Sequence, residues 1–542
     1  MIKKYLLLFS FAVCLFSCDS KEEADLIVFN ANVYTVDEEF SKTEAFAVKD
    51  GKFIATGTSE EIREKYNSEN FLDAEGKTIV PGLIDAHAHF YGFGMQLQSV
   101  DLVGTKSFEE VVSRIVEFQK QNNAEFITGG GWDQNDWENK EFPSKDTLDI
   151  LFPDTPVSIT RIDGHALLAN QAALDLAGIT PETSAEGGAI EVKNGKLTGI
   201  LVDNPMGLID RVIPAPSREQ QINALLDAQK AVFEYGLTTI NDAGLSRDVI
   251  ELIDSLQQAG DLKIRIYAMI STSQENLDYY LDRDFLKTDK LNVRSFKFYA
   301  DGALGSRGAV LKEPYSDKHG HFGALVSSIS ELKETAARIA ASKYQMNTHA
   351  IGDSANVLVL KTYDSLIGQE GNRRWKVEHS QIIDEGDFKY FSKNIIPSVQ
   401  PTHATSDMYW AGDRLGEERE KEGAYAYKKL LDEAGIIALG TDFPVEKVNP
   451  FLTFYAAVAR KDLNNYPEGG YMMEQALSRE ETLKGMTIWA AYSNFEEEEK
   501  GSIEAGKFAD FAILDQNIME VPENEIPETK VLQTFLSGKK VN

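Results

Sequence analysis

Cysteine is nearly absent: Cys14 and Cys18 are the only two in 542 residues, and both lie near the N-terminus. No disulfide framework and no thiolate metal site can serve the rest of the chain, so any metal must be held by His, Asp, Glu or a modified Lys. Basic residues are also scarce, 55 Lys and Arg against 86 Asp and Glu. The resulting formal net charge of -31 repels nucleic-acid backbones and anionic surfaces, so nucleic acid is excluded as a partner. No internal repeat is evident, and the only biased tract is the acidic run Glu496 to Glu499. What is present, 42% hydrophobic and 26% charged residues, suffices for one large domain with an accessory domain or insertion.

The N-terminus carries Lys3 and Lys4 and then the apolar run Tyr5 to Phe16, too short to span a bilayer with a tail on each side. It reads as a secretion signal over residues 1–17. Leu15-Phe16-Ser17-Cys18 resembles a bacterial lipobox, with Phe16 bulkier than usual, and implies lipidation of Cys18. Residues 18–24 form a charged tether, and the protein is expected outside the cytoplasm, touching a membrane only through that anchor.

From Leu26 to Val80 short apolar runs alternate with turn residues, and Asp50-Gly51 is a hairpin signal. The pattern returns at Phe511 to Leu514 and Val531 to Leu536. Each piece is too small to close a sheet alone, so segments 25–80 and 495–542 are expected to pair into one β-sandwich.

Between them, apolar runs alternate with amphipathic stretches, the pattern of parallel βαβ units. Eight candidate strands run Ile79 to His87, Leu237 to Asp242, Lys263 to Ile270, Val293 to Tyr299, Tyr344 to His349, Arg374 to His379, Ile395 to Gln400 and Ile436 to Asp442. No Gly-rich phosphate loop follows any of them, which disfavours a doubly wound sheet. The expected fold is therefore α/β, a (β/α)8 TIM barrel over residues 81–494. The gap between the first two strands is far too long for one βα step, so an insertion domain is expected over about residues 105–216.

His87-Ala88-His89 ends the first strand, and alternation in an extended segment turns both imidazoles to one side. His319-Gly320-His321 has the same spacing but lies in a Gly- and Lys-rich stretch and reads as loop. His349, His379 and Asp442 end the fifth, sixth and eighth strands, and strand C-termini converge in a barrel. Lys297 sits in the fourth strand, where a bare ammonium beside cations would be costly; either it is carboxylated to a metal-bridging carbamate, or it snorkels outward between helices.

These segments, with Pro81 to Asp85, Asp301-Gly302-Ala303-Leu304-Gly305-Ser306-Arg307, His349 to Asp353, Glu378 to Gln381, Gly440 to Pro444 and Gly501 to Asp510, resemble the YtcJ-like branch of the amidohydrolase superfamily, which includes N-substituted formamide deformylases. The resemblance covers the chain after the tether. It implies two divalent ions, zinc by preference: one on His87, His89 and Asp442, one on His349 and His379, with carboxylated Lys297 as bridge. It implies hydrolysis of a C–N bond in a small-molecule amide, with Asp442 as general base and then general acid. His165, Asp301, Arg307, Gln400 and His403 are candidate substrate contacts, and a second copy of the chain is an expected partner. The competing expectations are a mono-metal deaminase, a lactonase- or esterase-type hydrolase, and a surface binding lipoprotein without catalysis.

Overall fold

The computed structural model describes residues 21–134, 137–161, 166–183, 188–203, 205–367 and 372–542. The signal, Cys18 and His165 lie outside the described residues.

Eight parallel strands follow one another in sheet order: β1 (Leu83–Ala88), β2 (Leu237–Leu245), β3 (Arg265–Ser271), β4 (Leu291–Tyr299), β5 (Gln345–Ala350), β6 (Lys376–His379), β7 (Ile396–Val399) and β8 (Ala438–Leu439). The first and last meet at the C-terminal rim, where Asp442 N donates to His87 O at 2.8 Å and His89 N donates to Phe443 O at 2.8 Å. Asp85 adds to this seam by accepting Thr441 N at 3.1 Å and Thr441 Oγ1 at 2.7 Å. The result is the expected (β/α)8 barrel, with amphipathic helices packed around it through one continuous apolar core.

The first strand departs from expectation. The run read as Ile79 to His87 is two strands: Thr78–Pro81 pairs with Phe511–Leu514 in the terminal sheet, and β1 begins only at Leu83. Gly82 is the joint, because a Cβ there would sit 2.3 Å from Thr238 Oγ1. Close packing against β2 forces the chain to change sheets at a residue without a side chain.

The two termini do combine. A four-stranded sheet from residues 26–73 faces a six-stranded sheet holding Thr78–Pro81, Phe511–Leu514 and Val531–Leu536. Between them Phe46, Phe53, Phe511 and Phe535 fill a core in which the Phe511 and Phe535 rings stack at 4.3 Å. Asp50 and Gly51 both take positive φ, 50° and 75°, as a tight hairpin turn requires. The tether is shorter than expected, since Glu22–Glu23 already pair with Tyr66–Asn67.

The insertion after β1 builds a six-stranded sheet from Val100–Asp101 to Lys196–Asp203, with its own core around Trp132, Leu148 and Ile159. Its helix Phe108–Asn122 starts where Ser107 accepts Glu110 N.

Polar groups plug the barrel below the site. Asn494 exchanges hydrogen bonds with Asn241 at 2.7 and 2.9 Å and accepts Lys376 Nζ at 2.9 Å. Glu496 is buried, not solvated as an acidic run suggests, and pairs with Lys287 at 2.6 Å and Lys500 at 3.1 Å. Arg265 joins barrel to sandwich through Asp510, at 2.6 and 3.0 Å, with both side chains buried. Among the described residues no helix is long and apolar enough to cross a membrane.

Candidate metal centre

His87 and His89 leave β1 on the same side, as strand alternation demands, and Asp442 arrives from the segment after β8. Asp442 Oδ1 lies 3.2 Å from His89 Nε2 and 3.6 Å from His87 Nε2. The other ring nitrogens are occupied: His87 Nδ1 donates to Glu378 Oε2 at 2.6 Å and His89 Nδ1 to Ala243 O at 3.2 Å. Both Nε2 lone pairs are thereby aimed at one point, the arrangement by which outer partners orient metal-binding imidazoles.

His349 and His379 stand beside this group, their rings 4.5 Å apart, and the His379 ring is 4.9 Å from that of His87. His379 Nδ1 donates to Gln400 Oε1 at 2.8 Å. Lys297 Nζ reaches His87 Nε2 at 3.0 Å from β4, fully inside the barrel. The structure thus brings together His87, His89, Lys297, His349, His379 and Asp442, and leaves no room for Lys297 to snorkel outward.

Local backbone makes this convergence possible. His379 and Asp442 both have positive φ, 72° and 63°, a conformation that costs energy for residues with a side chain and concentrates at functional sites. Gly440 lets β8 approach β1, because a Cβ there would be 2.5 Å from His87 N. Asp242 accepts Phe90 N at 2.9 Å and Tyr91 N at 3.1 Å, fixing the helix that starts after His89.

Electrostatics keep His87, His349 and His379 neutral. Burial, then the positive charge of Lys297, lowers His87 and takes His349 down to about 3. His379 is held well below its ordinary value by burial and by His349 and His87. Burial alone would raise Asp442, but the hydrogen bond from His403 and the neighbouring histidines outweigh it and hold the carboxyl well below the usual range. Glu378 is likewise kept ionised, with the pull of burial outweighed by His87 and a value of about 2. Neutral imidazoles and an ionised carboxylate are the forms that bind metal.

Those groups fit divalent ions. Among the described residues Asp442 Oδ1 and His349 Nε2 are buried without a hydrogen-bond partner, a costly state for groups that an ion would satisfy. His87, His89 and Asp442 offer ligand atoms all within 4.8 Å of one another, and so do His379, His403 and Asp442.

His403, expected as a substrate contact, belongs to that second group. It lies on the helix Pro401–Asp407, with Nε2 3.3 Å from Asp442 Oδ2 and Nδ1 3.1 Å from Glu446 Oε1. Burial would lower it, but the two carboxylates raise it to about 10. Two other expected substrate contacts are spent on the protein itself. Asp301 is buried and accepts the backbone N–H groups of Val310, Ile351 and Gly352 at 2.8 to 3.0 Å, pinning the loop after β4. Arg307 pairs with Asp317 at 2.7 Å in that loop. Gln400 is buried and orients His379. His321 accepts no ligand role either, its Nε2 lying 2.9 Å from Arg307 O.

Known proteins share this sequence and fold. Residues 70–542 match the Amidohydrolase family. This chain belongs to that family. The putative amidohydrolase YtcJ of Bacillus subtilis is 31% identical over 94% of this chain and 98% of its own length. The N-substituted formamide deformylase of Arthrobacter pascens is 26% identical over 95% and 97%. An uncharacterized metal-dependent hydrolase from Pyrococcus horikoshii OT3, 27% identical, superposes with a TM-score of 0.78 over 92% of this chain and 99% of that one. With the histidine and carboxylate cluster at the barrel mouth, family membership makes this protein a metal-dependent hydrolase.

Sequence reasoning missed Glu378 and Glu446, which orient His87 and His403. Glu378 directly precedes His379, and on a regular strand neighbours face opposite sides, so only the positive φ of His379 lets both serve the site.

Proposed function

We propose that this amidohydrolase cleaves the C–N bond of a small-molecule amide, of the N-formyl or N-acyl class, using two zinc ions and a carboxylated Lys297. The deformylase relative and the YtcJ relative both support an amide substrate. The observation that carries the reading is Asp442 Oδ1, unpartnered among the described residues and facing the Nε2 atoms of His87 and His89, with His349 Nε2 nearby in the same state.

Divalent ions bound there would polarise a carbonyl oxygen and make a water acidic enough to attack at neutral pH. His87, His89 and Asp442 would hold one, and His349 and His379 the other. Lys297 supports the carbamate: burial brings its pKa down to about 8, enriching the neutral amine that adds CO2. Asp442, ionised and in contact with His403, receives the proton of the attacking water and returns it to the departing amine nitrogen, so amide and water become acid and amine. Glu378 and Gln400 hold the imidazoles in the one tautomer that presents Nε2.

The protein is further proposed to act outside the cytoplasm, anchored through lipidated Cys18, and to work as a homodimer.

The test is metal analysis of purified protein followed by a screen of formanilide, N-acyl amino acids and cyclic amides. Amine release with a matching acid is expected. Asp442→Asn should retain the fold by circular dichroism and lose about three to four orders of magnitude in kcat; near-normal turnover in that variant removes the proton-transfer role. Ammonia release from an aromatic amine instead would point to a deaminase.

A further inference from the structure

Lys297 and Tyr299 are two apart on β4 and so share its inner face, while Phe298 between them is buried in the outer packing. Lys297 is buried, but Tyr299 is 38% exposed, so its ring reaches the open mouth. The ring is fixed on both sides. Its centroid is 5.5 Å from that of His349, and Lys297 Nζ lies 5.0 Å from it. Its hydroxyl extends toward β2, where a Cβ on Gly244 would meet it at 3.3 Å. Gly244 follows Ala243, whose carbonyl receives His89 Nδ1. Tyr299 therefore crosses the mouth from the lysine strand toward the His89 side of the metal centre.

Among the described residues that hydroxyl is not spent on the protein. Four tyrosines buried around the barrel, Tyr267, Tyr363, Tyr425 and Tyr427, bond to Gln345, Thr348, Asp407 and the Gln400 carbonyl respectively, whereas Tyr344 is buried without a partner among the described residues but lies in the core, away from the mouth. Among the described residues no hydrogen bond engages Tyr299 Oη. A phenol held rigid by its neighbours, exposed to incoming solute and lacking an internal acceptor is preorganised for an external one.

We propose that Tyr299 is a further catalytic residue, its O–H donating to the carbonyl oxygen of the scissile amide as negative charge builds there. This rests on the amide-hydrolase reading above. As the water oxygen bonds to the carbonyl carbon, the C=O π pair moves onto oxygen, and the phenol stabilises that charge without losing its proton. When the C=O bond reforms, the C–N bond breaks and nitrogen leaves with the proton carried by Asp442. Tyr299 ends as it began.

The experiment compares zinc-loaded wild type, Tyr299→Phe and Tyr299→Leu with formanilide, whose aniline product is read directly, and measures methylphosphonate binding by calorimetry as a mimic of the tetrahedral anion. Removing one such donor lowers kcat about 10²-fold. Tyr299→Phe should show that loss with KM and zinc content unchanged, and should bind methylphosphonate about tenfold more weakly. If Tyr299→Phe matches wild type in both measurements while Tyr299→Leu loses zinc, the ring only packs against the ligands and the proposal is overturned, with the hydrolase reading intact. If wild type leaves formanilide and the other amides untouched yet binds methylphosphonate more tightly than Tyr299→Phe, the amide reading fails and the donor stands. If wild type neither turns over an amide nor exceeds Tyr299→Phe in phosphonate binding, both are overturned.

Discussion

Glu378 shows how much of this site depends on groups that never touch a ligand. Its carboxylate is wholly buried, accepts His87 Nδ1 at 2.6 Å and so fixes which nitrogen of His87 is free. Replacing it with Gln should weaken metal binding about 10- to 100-fold, the usual cost of losing such a partner, measured by competition with a chromophoric chelator; unchanged affinity would show that His87 is oriented by packing alone. The proposed ligands could be read from the sequence because barrel strands end where sites form, and His349 and His379 each close an expected strand. His403 could not be read so, because it sits one helical turn beyond β7 and its contact with Asp442 depends on where that helix points. Asp301 and Arg307 misled for a related reason: polar residues in a Gly-rich loop look available until the loop is seen to consume them as its own fasteners.

At the scale of elements, the sequence disclosed the number and order of barrel strands well and their limits poorly. β8 shrinks to Ala438–Leu439 because Gly440 and the left-handed Asp442 take the chain out of regular pairing to reach β1. Gly82 hid a boundary inside one apolar run, since both halves are buried and periodicity has nothing to mark. The acidic run below the barrel gave no sign of the burial of Glu496, and its chemistry makes a testable difference. Burial would raise Glu496, but Lys500 and Lys287 outweigh it and take the carboxyl from 4.5 to about 2. A depressed carboxylate contributes its full stability above the unfolded value and loses it as pH falls through the folded one. Wild-type Tm should therefore decline between about pH 4.5 and 2 through this group, and Glu496→Gln should lower Tm at neutral pH while flattening that part of the profile, as read by calorimetry across pH. Parallel profiles for the two proteins would refute the assignment.

For the whole molecule, the joint between barrel and sandwich rests on a buried ion pair. Arg265 meets Asp510 through two hydrogen bonds and lies 4.0 Å from the Phe508 ring. Asp510→Asn leaves a guanidinium buried without its counter-charge and should cost about 3 to 5 kcal/mol in urea unfolding. A loss under about 1 kcal/mol would mean that the pair is solvated as surface pairs are. The seam between β1 and β8 carries a different consequence. Asp85 and Thr441, which clasp it, are 356 positions apart, and the ligands flank them on both sides. A nascent chain that has not yet emitted its last barrel strand thus lacks the carboxylate side of the proposed metal centre however well its earlier portions have folded, and a complete centre would amount to a receipt for complete synthesis.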